Sequence, residues 1–502
     1  MAFIVMVKNV VDILIQNRNN RADWPAVIFN EHTFTYSQIY DRSIYLAEFL
    51  QKQKIQAGQT IGLLFQNKPE YLIAYYACLL NGFLPVLLPT YLSTNKLTYN
   101  FNKLKIEAVL YDSEFQKDVD EIELKKGSPL IKVPSSTWQD TSIDKTNIPT
   151  LSTDSFPGIN YTNEPAVVSF TDGNSGFPKA VVHSQAGLLS NAQNCVKLFG
   201  GMRAVRLLCT VPVFHFISHS FIPHSISLAG GTVILVENSK TEEIIRAINL
   251  NKVNTLIGTP VFFKEFINYA KTDELSSLKH CIVSGGCLSQ ETRQNLIKNL
   301  GVFVSELYGT TETQMISVVY DEIDQREGSI GQSFPEIDIR IINSSGAIVT
   351  PGSVGELQVR SSALMLNYFD DLNKTHFNQT TWFSTGDIVR ETSDGSLIFE
   401  GRISDSIHKF GYDINPALIE KVLQQHPAIH EAVACPIKNP NHEDQIKVWV
   451  SLRESATVSI DELNDFCRKN LPGYLQPDAI EVVTYFERDL SGKILRNLHN
   501  KS

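Results

Sequence analysis

Between residues 34 and 90 the spacing of apolar positions switches back and forth between two periods. TYSQIYDRSIYLAEFLQKQ places its apolar residues three and four apart, the stripe of an amphipathic helix. TIGLLF predicts a short buried strand, YLIAYYACLLNG a helix closing on Gly82, and FLPVLLP a second strand. That succession predicts βαβ units and a largely parallel sheet. The pattern returns at TVILVE, TLIGTPVFFKEFINYA and HCIVSGG. Residues 113–163 are more polar, with Ser, Thr, Asp and Pro throughout, and are expected to form surface excursions.

From Gly328 onward the texture changes to short strand-like runs, IDIRIIN, GELQVR and SLIFEGR, which predict an antiparallel or barrel-like section. After Gly401-Arg402 come helix-like ALIEKVLQQHP, strand-like EAVACPI and KVWVSL, helix-like SIDELNDFCRKNL and strand-like EVVTYF. The expected fold class is therefore α/β. A large N-terminal domain of mixed and parallel sheets with helices carries a small barrel-like β section, followed by a small α+β C-terminal domain. The expected division is 1–402 and 403–502, with a hinge at residues 403–406.

Composition adds limits. The chain has 502 residues, 43% apolar and 20% charged, a soluble globular profile with room for two to four cores. A net charge of −10 gives no global basic field for nucleic acid, so an anionic ligand must be met by local donors. Seven cysteines are scattered, odd in number and form no C-x-x-C pair, which predicts free thiols in a reducing compartment. MAFIVMVKNVVDILIQ lacks the basic start, long apolar run and cleavage site of a signal peptide. No run of about 18 apolar residues suggests a membrane span. The expected location is the cytoplasm.

SFTDGNSGFPKAVVHS (169–184) follows the apolar run AVVSF and precedes a helix-like stretch. Backbone N–H groups of a glycine turn can converge on an anion, with Thr171, Asn174, Ser175 and Lys179 as further donors. The spacing is not that of the Walker loop, because Pro178 stands where its second Gly should be. Taken alone, the segment is either a phosphate loop or an ordinary surface turn. Its company decides: FTDGNSGFPKAV, PVFHF, VSGGC, LYGTTET, WFSTGD, GRISDSIHKFGYDI and LSGKILR follow one another in this order.

That ordered set resembles the adenylate-forming superfamily, which includes acyl- and aryl-CoA synthetases, peptide-synthetase adenylation domains and luciferases. The resemblance runs from about Phe34 to Arg496. It implies an AMP-forming acid–thiol ligase using ATP and Mg²⁺. A carboxylate attacks the α-phosphate, pyrophosphate leaves, and a thiol of coenzyme A or a carrier-protein phosphopantetheine then takes the acyl group. Both reactants of the first step are anions, so positioning and charge neutralisation must dominate.

By resemblance, Thr171, Gly173, Asn174, Ser175, Gly176 and Lys179 form the phosphate loop. Tyr308 stacks on adenine, next to Gly309, and Gly285, Gly286 and Cys287 wall its pocket. Thr311 lies near the α-phosphate and Glu312 holds Mg²⁺. Asp387 and Arg402 hold the ribose hydroxyls. Lys493 spans substrate carboxylate and α-phosphate, and His215 borders the acyl pocket. Rotation about the hinge exchanges Lys493 for the opposite face, including Gly411, in the thioester step.

Several positions depart from the family pattern. Asp172 replaces a small hydroxyl residue, facing either the phosphates or the loop's own N–H groups. Ser404, His408 and Asp413 replace charged or basic residues, which bears on the second half-reaction and its thiol partner. PVFHF carries no carboxylate, so the expected substrate is a carboxylic acid without an α-ammonium group. Leu307 favours a short acyl tail and Gly309 a longer one, leaving length open. Two rival readings remain: a ligase that loads an acyl or peptidyl carrier protein, and a nucleotide-binding protein without ligase activity. His215, His219 and His224 lack the fixed third ligand and second shell of a zinc site.

Overall fold

The computed structural model describes residues 7–124, 130–138, 163–171, 178–200, 202, 204–237, 240–270, 274–320, 326, 328–371, 377, 380–409, 412–437, 444–488 and 494–496. The helix predicted from the three–four spacing spans Tyr36–Lys52. Its start is a capping box: Gln38 N–H donates to Thr35 Oγ1 at 3.2 Å, and Thr35 N–H donates to Gln38 Oε1 at 2.9 Å. Ile39, Ile44, Leu46, Ala47 and Leu50 form its buried face. The next helix, Pro69–Leu80, is apolar on every face apart from Glu70 in its first turn and is buried along its whole length. Gly82, at φ 68°, ends it in the left-handed turn that glycine tolerates.

These helices sit among two large sheets. In the first, six strands run parallel in the order Pro25–Phe29, Thr232–Leu235, Arg206–Cys209, Thr255–Gly258, His280–Ser284 and Phe303–Thr310. Gln314–Val319 turns back antiparallel and begins a wholly antiparallel section, Ser329–Ser333, Leu397–Arg402, Phe383–Glu391, Val354–Arg360 and Asp338–Ile342. The change of sequence texture at Gly328 thus falls inside an antiparallel section that begins one strand earlier, at Gln314, and continues the same sheet. The second sheet orders Asn367–Tyr368, Ala180–Ser184, Pro165–Phe170, Leu84–Leu87, Thr60–Leu64, Ala108–Tyr111 and Ile131–Pro134. Its last strand corrects the expectation of surface excursions after residue 113. Ile131–Pro134 pairs parallel with Ala108–Tyr111, and Val133 is buried. The sequence hides it because an edge strand buries only part of its side chains.

Residues 407–480 build a separate core. Ile407, Ile419, Ile429, Val448 and Leu463 are each fully buried within it. The strands Ile429–Ile437 and Gln445–Leu452 are antiparallel, with Ala479–Val483 added parallel and helices Pro416–Leu423 and Ile460–Asn470 packed on them. Among the described residues no helix is long and apolar enough to cross a membrane.

Candidate nucleotide site

The strand Phe303–Thr310 is the spine of the site, and three groups of residues attach to it. The first lies at Tyr308, whose hydroxyl donates to Asp387 Oδ2 at 2.5 Å. Asp387 faces Arg402 directly across the antiparallel pair Phe383–Glu391 and Leu397–Arg402, and Arg402 Nε stands 2.8 Å from Asp387 Oδ1. Sheet register therefore brings together two residues fifteen positions apart in the chain. Asp387 is fully buried while the Arg402 side chain is 37% exposed, so the pair opens to solvent on the arginine side. Burial, and then the Asp387 carboxylate, push the Tyr308 hydroxyl far above its ordinary pKa, which keeps it a proton donor. Burial opposes the Arg402 charge, but Asp387, Tyr308 and Asp405 together outweigh it and raise the guanidinium pKa.

The second group lies at the turn after Thr310. Thr311 is buried and Glu312 half-buried. Tyr368 donates to Glu312 Oε1 at 3.0 Å, and the Lys179 ammonium lies 4.8 Å from the Tyr368 ring centroid. These contacts exist because Asn367–Tyr368 pairs antiparallel with Val182 and Val181. His183, on the same strand, places Nε2 2.8 Å from the Thr311 carbonyl oxygen. A carbonyl only accepts, so Nε2 carries the proton and Nδ1 accepts from the Gln314 amide at 3.2 Å. Burial pushes the His183 pKa down to about 4, so it holds the Thr311 carbonyl as a neutral donor.

The third group is the turn Gly285, Gly286 and Cys287. Ser284 Oγ donates to the Leu307 carbonyl at 3.3 Å, and Leu288 N–H donates to Glu306 Oε2 at 2.9 Å. Glu306 also pairs with Arg293, a buried arginine. The turn is thus tied on both sides to residues just before Tyr308. Gly309 has a steric reason of its own: a Cβ there would meet the Gln314 carbonyl oxygen at 2.0 Å. The strand bulges between Tyr308 and Gly309, and the hairpin closes too tightly for any side chain.

The structure adds a strand to the context expected for the glycine loop. Pro165–Phe170 and Ala180–Ser184 are antiparallel neighbours, so the loop joins two strands before the helix Gln185–Val196 begins. Its ends are closed by Thr171 N–H donating to the Lys179 carbonyl and Lys179 N–H donating to Thr171 Oγ1, both at 3.0 Å. Asp172, Gly173, Asn174, Ser175, Gly176, Gly411 and Lys493 lie outside the described residues.

His215 caps the short helix Phe216–His219, its Nδ1 accepting from Ile217 N–H at 3.3 Å. His219 and His224 go elsewhere, to the hydroxyls of Tyr71 at 2.5 Å and Tyr75 at 2.9 Å inside the core. No group of three or more His, Cys, Asp or Glu suited to a metal lies among the described residues. Lys409 is also turned inward, 2.6 Å from Asp478, and does not take the place of the basic residue missing at His408. Tyr368, His183 and Glu306 escaped the sequence reading. Tyr368 sits in NYFDD with no motif around it, and only strand pairing connects it to Glu312 and Lys179.

A nucleotide with its cation fits this donor set. Asp387, fully buried and held by Tyr308 and Arg402, presents carboxylate oxygens with further lone pairs that can accept from a ligand hydroxyl. Glu312 offers the hard oxygen ligand that Mg²⁺ prefers, with Lys179 close by to meet phosphate. The fold and site are those of an adenylate-forming enzyme. The AMP-binding enzyme family model matches residues 14–369, and the model of the AMP-binding enzyme C-terminal domain matches 418–493. The chain belongs to this family.

Among its relatives is the 2-succinylbenzoate–CoA ligase of Bacillus subtilis, 26% identical over 486 residues, covering 94% of each chain. The long-chain-fatty-acid–CoA ligase of the same organism is 25% identical over 525 residues, covering 97% of this chain and 93% of the relative. Among solved structures, O-succinylbenzoate coenzyme A synthetase from Bacillus subtilis in complex with AMP superimposes with a TM-score of 0.83. It is 24% identical, with 98% of both chains covered. ATP-bound MatB from Rhodopseudomonas palustris gives a TM-score of 0.85 at 19% identity, with 99% of both chains covered.

Proposed function

We propose that the protein is an ATP-dependent carboxylic acid–thiol ligase that forms an acyl-adenylate and then an acyl thioester. The observation that carries this reading is the convergence on one hairpin, residues 303–319. Tyr308, Asp387 and Arg402 gather on its strand, and Thr311, Glu312, Tyr368 and Lys179 at its turn. In the first step a carboxylate oxygen bonds to the α-phosphorus and the bond to pyrophosphate breaks. In the second, a thiol sulfur bonds to the acyl carbon, the bond to AMP breaks, and the thiol proton is released.

Tyr308 offers its ring to adenine and fixes Asp387 through its hydroxyl. Asp387 accepts from a ribose hydroxyl, and Arg402 pairs with the same carboxylate. Lys179 meets phosphate charge while Tyr368 orients Glu312, and Mg²⁺ held by Glu312 supplies further charge neutralisation. His183 holds the Thr311 backbone so that its hydroxyl faces the α-phosphate. Lys493 bridges the acid and α-phosphate from the smaller domain, 403–502, which turns about residues 403–406 relative to 1–402. His215 borders the acyl pocket.

Coenzyme A is the favoured thiol, because the relatives named above are CoA ligases. The acid carries no α-ammonium, since PVFHF offers no carboxylate to pair with one. None of the seven cysteines forms a disulfide and six are buried, which fits a reducing compartment, and we place the enzyme in the cytoplasm.

The test is pyrophosphate release over a panel of aryl, short-chain and medium-chain acids, with and without coenzyme A. Acid-dependent pyrophosphate and a CoA thioester are expected. Pyrophosphate without thioester would redirect the second step to a carrier protein. ATP binding with no acid-dependent pyrophosphate from any acid would leave a nucleotide-binding protein and end the ligase reading.

A further inference from the structure

The turn between strand Thr60–Leu64 and helix Pro69–Leu80 carries three polar residues in succession, Gln66, Asn67 and Lys68, and each grips a different element. Gln66 N–H donates to Asp112 Oδ2 at 2.9 Å, just beyond strand Ala108–Tyr111. Lys68 Nζ lies 2.9 Å from Glu114 Oε1 and 3.0 Å from Glu237 Oε1. Glu237 follows strand Thr232–Leu235 of the first sheet, whereas Asp112 and Glu114 follow a strand of the second. The turn therefore spans the seam between the two sheets at the carboxyl ends of parallel strands, where open α/β sheets take their ligands.

Asn67 stands between those two anchors, and its Oδ1 accepts from Val213 N–H at 2.9 Å. Val213 lies in the segment 210–215, which leaves the first sheet after strand Arg206–Cys209. At one end that segment is tied to its own sheet, where Thr210 N–H donates to the Ile257 carbonyl at 2.9 Å. At the other end His215 caps helix Phe216–His219, and Ser218 Oγ donates back to the Val211 carbonyl at 2.6 Å. In between, Asn67 supplies a fastening to the second sheet, made to a buried residue. Its base is stiff, because helix Pro69–Leu80 directly after it is buried along its whole length. Strand Phe303–Thr310, which carries Tyr308, runs parallel to Arg206–Cys209 three places along the same sheet. The segment 210–215 and the nucleotide group thus lie at one sheet edge.

We infer that Asn67 is a positioning residue for the acid: its amide oxygen holds Val213, and with it His215, at a fixed distance from the nucleotide group. This rests on the ligase reading, in which His215 borders the acyl pocket. It goes beyond that reading by naming the side chain from the other sheet that sets the border. Tyr308, Asp387 and Arg402 make no contact with this seam and are held by their own strands. Asn67 therefore bears on the acid and leaves the nucleotide alone.

The experiment compares wild type with Asn67→Leu, Asn67→Gln and Asn67→Asp in acid-dependent pyrophosphate release, using the acid that gives the highest wild-type rate. Asn67→Leu leaves Val213 N–H without its acceptor and should raise KM for the acid about tenfold, with KM for ATP within about twofold. Asn67→Gln keeps the amide but moves its oxygen by one methylene, and should raise KM for the acid about threefold at an unchanged melting temperature. It carries the test should the leucine variant not fold. Asn67→Asp keeps an acceptor at the same reach and should hold KM for the acid within about twofold of wild type. KM values for acid and ATP that rise together would overturn the assignment. So would an unchanged KM for the acid in the glutamine variant, or an aspartate variant as impaired as the leucine one. No acid-dependent pyrophosphate from the wild type with any acid would overturn the ligase reading and the assignment with it.

Discussion

The candidate nucleotide site and the last described stretch of the small domain are held in place by different means. On the nucleotide side, Tyr308, Asp387 and Arg402 stand on strands of one sheet, and the register Asp387↔Arg402 fixes their separation. On the lysine side, the chain beyond the three-stranded sheet is fastened through side chains, by Arg488–Glu431 and Arg496–Glu420. A register is shared by many backbone hydrogen bonds and survives the loss of any one contact. A side-chain clamp concentrates the constraint in one or two groups. Binding and stability should therefore be coupled on the first side, and rate alone should respond on the second.

The largest effect expected is that of Lys493→Ala, a loss of about 1,000-fold or more in acid-dependent pyrophosphate release, the scale of a removed electrostatic stabiliser. ATP affinity by calorimetry should stay within about threefold. A parallel fall in affinity would erase the contrast between the two sides. Asp387→Ala should behave in the opposite way. It strips Arg402 of its partner and removes the proposed ribose acceptor, so ATP affinity should fall about 100-fold and stability by roughly 2 kcal/mol, the partial exposure of Arg402 limiting the cost. Retained ATP affinity in this variant would remove Asp387 from the site.

The nucleotide side should also be the acid-sensitive one. Burial lowers the pKa of His183 and His280 from 6.5 to about 4 and that of His224 to about 3, so the unfolded chain binds more protons than the folded one below pH 6.5. Stability is then full above about pH 6.5 and declines as pH falls toward 4. His183 alone accounts for on the order of 3 kcal/mol across that range. Chemical denaturation at pH 7.5, 6 and 5 measures it, and a flat profile would show these histidines to be solvated. The smallest effect belongs to Tyr368→Phe, which removes one hydrogen bond to Glu312. Pyrophosphate release should fall about three- to tenfold at unchanged stability. A larger loss would make Tyr368 a direct ligand of the reacting groups.

What could be read from the chain itself followed from local constraints. Helix Tyr36–Lys52 declared itself through its three–four spacing, and Pro69–Leu80 through the apolar run YLIAYYACLL closing on Gly82, because both signals reside in neighbouring residues. The ordered motifs located Tyr308, Glu312, Asp387 and Arg402 for a similar reason, since each is embedded in a short distinctive run. Tertiary structure alone decided the rest. It set the glycine loop between two antiparallel strands and recruited Tyr368 and His183 to the turn after Thr310. It also turned Lys409 onto Asp478 and joined Arg496 to Asp405 across 91 positions of sequence. Strand pairing and charge pairing act across space without leaving a local pattern, so the partners of these residues exist only once the sheets have formed.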